Sequence, residues 1–182
     1  MIKEFSAQPK AQNNKAKIVM AVSFLVAAVA FVTMVMATKY RGVIGLVSVG
    51  AIITGILMYT KYISVKFFYD VLVEGYDEPM LVVRQLVGKR NVTLARIYLA
   101  DVCDIKHESA AERRAHKRDR RVRLYVFGPT LSPSESYRVY TKSHLETSEL
   151  VLEGSSEFFE MLRGYVAEAK ELRAKIEEEE EY

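Results

Sequence analysis

Residues 18–37 read IVMAVSFLVAAVAFVTMVMA, and within this stretch only Ser23 and Thr33 are not apolar. A helix needs about 20 such residues to cross the roughly 30 Å of hydrocarbon in a bilayer. Residues 43–63 read VIGLVSVGAIITGILMYTKYI, a second run in which 14 of 21 residues are apolar. The 182-residue chain therefore has two predicted membrane spans, at 18–37 and 43–63, which argues against a fully soluble protein and against a many-span transporter.

The connector between the two runs fixes their arrangement. It holds only Thr38 to Gly42, so residues 18–63 must form a transmembrane hairpin of antiparallel helices. Basic residues outside the connector outnumber its Lys39 and Arg41; they are Lys3, Lys10, Lys15, Lys17, Lys61 and Lys66. Because Lys and Arg favour the cytoplasmic side, we expect a multi-pass protein of the cell membrane with both termini in the cytoplasm. Residues 1–17 are then a basic cytoplasmic tail.

A cleaved signal peptide is the alternative for the first run, since residues 27–30 are mostly the small residues found at cleavage sites. Its apolar stretch exceeds the usual core of about 7–15 residues, and a second span follows at once. The pattern therefore favours a retained span.

Small residues in the second run could let helices approach closely. Gly50, Ala51 and Gly55 are the candidate helix-packing residues. Neither run holds a charged residue before Lys61, so the usual sign of an ion or proton path is missing.

Beyond the hairpin, apolar residues alternate with polar ones, as they do in strands. Ile63, Val65, Phe67 and Tyr69 fall on one face of the first predicted strand. The turn Gly88–Asn91 joins two further strands as a hairpin, and short strands are predicted near 102–105, 122–126, 136–141 and 149–153. About seven strands therefore lie between the membrane hairpin and residue 154.

The last predicted element is a helix that Ser155 or Ser156 could cap. Its apolar stripe recurs at steps of three and four residues: Phe158, Leu162, Tyr165, Ala169, Leu172 and Ile176. Residues 177–182 have nothing to bury and are predicted to form an acidic tail. The fold class expected is thus membrane-anchored α+β, in which residues 64–176 form a small, strongly bent sheet or barrel capped by this amphipathic helix.

The net charge of +3 hides a segregation along the chain. Residues 61–182 hold 20 basic and 22 acidic side chains, so the positive excess belongs to the segments that flank the spans and does not indicate nucleic-acid binding. Cys103 is the single cysteine, which excludes an intramolecular disulfide. It falls in a strand pattern, where we expect a small buried side chain.

The motifs of catalytic and metal sites are not found. Cys103, His107 and His116 lack the repeated spacing of a four-ligand zinc site. The serines of 132–136 lack the motif of a hydrolase nucleophile. The sequence therefore predicts no metal site, no cofactor and no catalytic residue, and the protein is not expected to be an enzyme.

The most unusual segment gathers seven basic residues within a short stretch: Arg113, Arg114, Lys117, Arg118, Arg120, Arg121 and Arg123. Near an anionic membrane surface each Lys or Arg gains about 1 kcal/mol, within a Debye length. These residues, called the basic segment below, are the candidate contact for anionic lipid headgroups or an acidic protein partner. The alternative is a solvated, partly helical loop between two strands.

The chain resembles the bacterial pleckstrin-homology-like family, in particular the YcxB-like membrane proteins with two spans before such a domain. The residues that carry the resemblance, over about 60–175, are the strand Phe67–Val73, the hairpin Val82–Ile97, the segment Leu99–Val102 and the helix after Gly154. It implies a pleckstrin-homology-like (PH-like) interaction or lipid-facing module, without catalysis as a rule. Eukaryotic relatives bind phosphoinositides through the loop between the first two strands, and here that loop, Glu74–Pro79, is acidic.

Two functions follow from these patterns. The first is a non-enzymatic membrane protein whose cytoplasmic PH-like module binds a protein partner or anionic lipid headgroups at the inner leaflet. The second is an accessory or structural subunit of a larger membrane complex that assembles through the hairpin.

Overall fold

The structure, a computed structural model, describes residues 2–10, 13–36, 39–73, 78–116, 122–143 and 146–180. Its strands are β1 (Ile2–Ala7), β2 (Val65–Val73), β3 (Met80–Val87), β4 (Arg90–Tyr98), β5 (Val102–Ser109), β6 (Arg123–Phe127), β7 (Glu135–Lys142) and β8 (Thr147–Leu152). Its helices are α1 (Asn14–Met36), α2 (Arg41–Met58), α3 (Ala110–Ala115) and α4 (Ser156–Glu180). A π-helical turn, Tyr59–Ile63, continues α2, and a 3-10 turn spans Leu99–Asp101. The chain is therefore α+β, and it divides into two compact units.

The first unit comprises Gln12–Val65 with Pro129–Leu131 and contains the two apolar helices. Asn14–Met36 and Arg41–Ile63 are each 23 residues long and, by length and composition, apolar enough to cross a membrane. Tyr40 adopts a left-handed backbone with φ of 60° between them, and the Ile44 N–H donates to its carbonyl at 3.1 Å. The helices predicted from the two apolar runs are therefore confirmed.

Small residues let α1 and α2 approach closely. The buried and half-buried residues recur mostly at steps of three and four: Ala16, Met20, Ser23, Ala27, Ala30 and Met34 on α1, and Ile44, Gly45, Ser48, Ala51, Gly55 and Met58 on α2. This spacing, a 3.5-residue repeat, is that of a left-handed helix pair. The Ser48 hydroxyl donates to the Ala27 carbonyl at 3.1 Å, and the Phe24 ring lies 3.0 Å from where a Gly55 Cβ would be.

The second unit comprises Met1–Ala11, Lys66–Gly128 and Ser132–Tyr182 and holds two four-stranded sheets. The first sheet has the order β1-β2-β3-β4, and the second has the order β5-β7-β8-β6. β7 pairs antiparallel with both β5 and β8, whereas β6 runs parallel to β8. The seven strands expected between residues 64 and 154 are present, together with one strand that the sequence did not indicate.

That additional strand is β1, which lies within the segment interpreted as a basic tail. It pairs antiparallel with β2, from Ile2 opposite Val73 to Ala7 opposite Tyr69. The Phe5 ring stacks on Phe158 of α4, with 5.7 Å between ring centroids. The six residues of β1 have mixed polarity and so give no local signal for a strand. Their partner, β2, comes after the hairpin in sequence, so no local pattern indicates the pairing.

Helix α4 closes the core of this unit. The Ser155 hydroxyl caps it by accepting from the Phe158 N–H at 3.3 Å. Phe159, a residue outside the predicted stripe, stacks on Tyr137 of β7 at 3.7 Å between centroids. The predicted stripe is correct for its first turns but wrong beyond Ala169, since Leu172 and Ile176 are 40% and 37% exposed.

The expectation that Cys103 is buried is wrong: Cys103 is exposed, because β5 has a bulge between Val102 and Asp104 that interrupts its alternation. Helix α4 continues to Glu180, so the first residues of the predicted acidic tail are helical, as glutamates are good helix formers. Most of the acidic loop Glu74–Pro79, residues 74–77, lies outside the described residues.

Tyr69 joins three parts of the second unit. Its hydroxyl donates to the Phe127 carbonyl at 2.6 Å and accepts from the Glu153 N–H at 3.2 Å. These groups lie at the ends of β6 and β8, so one buried side chain of β2 connects the two sheets. Burial raises the pKa of Tyr69 well above its ordinary value, so the hydroxyl stays protonated as a donor.

We expect Tyr69→Phe to lower the free energy of unfolding by about 1–3 kcal/mol, because it leaves two buried backbone groups without their partner. Thermal and denaturant unfolding of the full chain in micelles, followed by circular dichroism, measures this. Tyr98→Phe is the matched control, since Tyr98 is 50% exposed. Equal effects of the two substitutions would contradict the role given to Tyr69.

We also expect Gly55→Ile to destabilise the α1–α2 pair by about 1–3 kcal/mol, because the new side chain must displace the Phe24 ring. Gly50→Ile adds the same bulk on the same helix, at a position where no atom of the described residues outside the surrounding helical turn lies within 4 Å of the new Cβ. When the full chain is unfolded in mixed detergent micelles, Gly55→Ile should therefore show a lower free energy of unfolding than Gly50→Ile. The reverse order would place Gly50, and not Gly55, in the helix interface.

Candidate functional site

The basic segment begins on α3, a helix of six residues that is too short to be stable alone. Ser109 and Glu112 form a capping box at its start: the Glu112 N–H donates to the Ser109 hydroxyl at 3.3 Å, and the Ser109 N–H donates to the Glu112 carboxylate at 2.7 Å. The hydrogen bond from the Ser109 N–H lowers the pKa of Glu112. The cap therefore fixes the direction in which the basic segment leaves β5.

Arg113 has a structural role. Its guanidinium donates to the Pro133 carbonyl at 2.6 Å and to the Ser136 hydroxyl at 3.0 Å. The Ala110 N–H adds a bond to the Ser134 carbonyl at 3.0 Å. These contacts hold α3 against the serine-rich segment before β7, so Arg113 is engaged within the protein.

The other residues of the basic segment divide into three groups. Arg114 is exposed on α3. Arg123 begins β6 and forms an ion pair with Glu146 at 2.5 Å. Lys117, Arg118, Arg120 and Arg121 lie outside the described residues. Of the three described arginines of the basic segment, Arg113 is therefore bound within the protein, whereas Arg114 and Arg123 are exposed, Arg123 in a surface ion pair.

A buried charge cluster lies on the face of the second sheet opposite α4's aromatic contacts. Arg138, on the central strand β7, has a side chain that is 3% exposed. It donates to both oxygens of Glu108 on β5, at 2.7 and 2.9 Å, and to Glu149 on β8. Burial alone lowers the pKa of Arg138, but the hydrogen bonds to the two glutamates outweigh it and leave the pKa raised. The guanidinium therefore remains charged.

His116 completes this cluster from the end of α3. Its Nδ1 lies 3.8 Å from Glu108 and its Nε2 lies 3.6 Å from Glu149. The cluster has no signature in the sequence, because β5, β7 and β8 become neighbours only in the sheet. One signal was available: Arg138 lies between Tyr137 and Val139 in a strand with apolar alternation, where a charged residue needs a partner.

A second charged site lies where α4 passes the start of β3 and the end of β4. Arg173 donates to Glu78 through two nitrogens and to Asp101 at 2.7 Å. The hydrogen bonds from Arg173 lower the pKa of Glu78, and those to Glu78 and Asp101 raise the pKa of Arg173. A cavity of about 360 Å³ beside them is also lined by Tyr98 and Ile176. Since both carboxylates already bind the guanidinium, these contacts hold α4 in place.

The remaining candidates are not brought together. Gly55 is buried between α1 and α2, Ala51 is half-buried, and Gly50 is exposed. Among the residues the structure describes, no group of three or more His, Cys, Asp or Glu side chains is placed to hold a metal ion. Cys103 and His107 lie on β5, and His107 forms an edge contact with Tyr137, away from the glutamates that His116 approaches.

The arrangement can therefore present positive charge from a short helix that the capping box starts and Arg113 holds in place. Comparison with known proteins finds no matching family model, no matching curated protein and no matching solved structure.

Proposed function

We propose that this chain is a non-enzymatic, multi-pass membrane protein whose second unit is a cytoplasmic PH-like module that binds anionic lipid headgroups at the inner leaflet. The observation that carries the proposal is the pairing of β1 with β2, the strands that directly precede and follow the apolar helices. Two four-stranded sheets followed by one long helix support the PH-like assignment.

The β1–β2 pairing supports the topology. A strand before α1 and a strand after α2 can hydrogen-bond to each other only when both lie on the same side of the bilayer. Neither strand can lie within the bilayer, because lipid cannot satisfy the backbone groups of an unpaired strand. An antiparallel hairpin of two spans meets this requirement. The lysines outside the connector then place both termini in the cytoplasm.

The length of the connections supports a position near the headgroups. Only Ser64 separates the helical turn that ends at Ile63 from β2, which begins at Val65. A domain of this size has a radius of gyration of roughly 14 Å. Every charged residue of the module is therefore tethered within a few nanometres of the surface.

The positive charge of the basic segment attracts it to anionic lipid headgroups. With Arg113 bound to Pro133 and Ser136, and Arg123 paired with Glu146, the residues proposed to meet headgroups are Arg114, Lys117, Arg118, Arg120 and Arg121. At about 1 kcal/mol for each cation near an anionic surface, five such residues supply a substantial and salt-sensitive binding energy.

The second candidate is an accessory subunit that assembles through the hairpin, and one observation favours it. Among the described residues, no atom outside the surrounding turn of α2 lies within 4 Å of where a Cβ of Gly42 or Gly50 would be. This side of α2 would allow another helix to approach closely. In this case Gly50→Ile would break a complex while leaving the fold of the chain unchanged.

Thiol labelling in sealed vesicles tests the topology. Cys103 is exposed and is the only cysteine, so it reports directly on the side of the module. We expect an impermeant reagent to reach Cys103, and the thiol introduced by Lys10→Cys in a Cys103→Ser background, from the cytoplasmic side only. Lys39→Cys in that background should react from the opposite side. Labelling of positions 10 and 103 from opposite sides would contradict the β1–β2 pairing itself.

Hydrogen exchange tests headgroup binding in the full chain. The rate of amide hydrogen exchange in the peptide covering 113–123 is compared between nanodiscs of neutral lipid and nanodiscs that also contain anionic phosphatidylglycerol. We expect exchange to slow at least about threefold in anionic discs at low salt, and the difference to vanish near 0.5 M salt, where the Debye length is only a few ångströms.

The variant with glutamine at 114, 117, 118, 120 and 121 should lose the dependence on lipid charge. Its matched control replaces Lys89, Arg90 and Arg96 of the β3–β4 hairpin with glutamine and should keep the dependence. Wild-type exchange that is the same in both lipids would overturn headgroup binding and leave an acidic protein as the partner to isolate.

A further inference from the structure

The turn of the β3–β4 hairpin lies at the end of the first sheet where β2 begins. β2 and β3 are neighbours whose connection is residues 74–79; parallel neighbours need a connection of about a dozen residues or more, so these two strands run antiparallel. The Arg84 guanidinium on β3 binds the Asp70 carboxylate on β2, which aligns the strands. Five residues before Asp70 is Val65, and five after Arg84 is Lys89. The hairpin turn is therefore about level with Val65.

In the proposed topology, the start of β2 is close to the membrane surface. The helical turn that ends α2 holds Lys61 over the ring of Tyr62, with 5.6 Å from Nζ to the ring centroid. Tyr and Lys at the end of a span are typical of the membrane–water interface. The chain between Tyr62 and Val65 can extend at most about 11 Å, and adjacent strands are about 5 Å apart. The β3–β4 turn is therefore held within reach of the lipid headgroups.

An exposed apolar patch lies at this turn. Val87 and Val92 are 41% and 46% exposed, although Leu81 and Val83 on β3 are fully buried. Val92 pairs with Gln85, which lies two residues before Val87 on β3. Residues two apart on a strand share a face, and so do cross-strand partners. The core-facing side of the hairpin thus continues past the core as a patch formed by Val87 and Val92.

The turn itself is tight and positively charged. Gly88 has a φ of 60°, as the first central position of one type of two-residue hairpin turn requires. Lys89 and Arg90 follow it and are exposed. Long basic side chains can lay their apolar stems along lipid while the charged ends stay among water and phosphates. The turn therefore presents apolar side chains beside charged ones that the headgroup region accommodates.

We propose that the β3–β4 turn is a second membrane contact: Val87 and Val92 enter the headgroup region of the bilayer that α1 and α2 cross, and Lys89 and Arg90 stay at its phosphates. The contact is driven by removing the two valine side chains from water, so it forms on neutral as well as anionic lipid. It deepens the proposed function and rests on it for the membrane topology, but not for headgroup binding by the basic segment. Its consequence is that the module keeps one orientation at the bilayer.

A single tryptophan tests the contact, because the chain has none of its own. The full chain carrying Val92→Trp is placed in nanodiscs of neutral phosphatidylcholine, with or without bromine near the headgroup end of the acyl chains. We expect brominated lipid to lower the tryptophan emission at least about twofold, as for an indole ring at the interface. Tyr98→Trp is the matched control, since Tyr98 is exposed on the same strand, roughly 20 Å from Val92. Its emission should stay unchanged.

Two further variants test the role of the valines. Val87→Asp, added to the Val92→Trp chain, should restore at least about half of the lost emission, because a carboxylate is costly to remove from water. Val126→Asp adds the same charge at an exposed valine of β6 and should leave the quenching as it was. Circular dichroism of each variant confirms that the fold is retained.

Three results would overturn the contact. The first is equal emission of Val92→Trp in the two lipids. The second is quenching that Val87→Asp and Val126→Asp change to the same extent. The third is a blue-shifted emission that brominated lipid does not quench, which would mean that protein, such as a second copy of the chain, covers the patch.

The contact and the proposed function can fail separately. Val47→Trp places the tryptophan on α2, at an exposed position of the second apolar helix. Quenching there but not at Val92→Trp refutes the turn contact and leaves the spans standing, whereas no quenching at Val47→Trp refutes the membrane topology and the contact with it. Quenching at Val92→Trp without any effect of lipid charge on exchange in 113–123 refutes headgroup binding by the basic segment and leaves the turn contact standing.

Discussion

Strand β1 hydrogen-bonds to strand β2, and between these two strands the chain leaves to form α1 and α2 and then returns. This pairing ties the residues before the apolar helices into the same sheet as the residues after them. Without β1, the edge of β2 would expose unpaired backbone groups, and Phe158 would lose the Phe5 ring stacked on it. A chain that begins at residue 64 therefore lacks one strand of the first sheet.

Buried polar groups specify how the second unit is assembled. The Tyr69 hydroxyl joins β2 to the ends of β6 and β8, and Arg138 joins β5, β7 and β8. Each of these groups is costly to bury unless all of its partners are in place. Such contacts add less to stability than to specificity, because an alternative strand order would leave a hydroxyl or a charge without its partner.

The same contacts divide the basic residues by role. Among the described residues of the basic segment, the Arg113 side chain is bound inside the protein, whereas the Arg114 and Arg123 side chains are exposed. Arg113 therefore positions α3, and the other two present their charge at the surface.

Features that depend on neighbours along the chain could be predicted from the sequence: the two apolar helices, the β3–β4 turn, the serine cap of α4 and the position of the basic segment. Each follows from local length, period or turn chemistry. Other features become visible only in three dimensions: residues 2–7 are a strand, β6 runs parallel to β8, Cys103 is exposed at a bulge, and Glu108, Arg138, Glu149 and His116 meet. These features depend on which distant strands become neighbours, and strand pairing is set by contacts between residues that the local pattern does not connect.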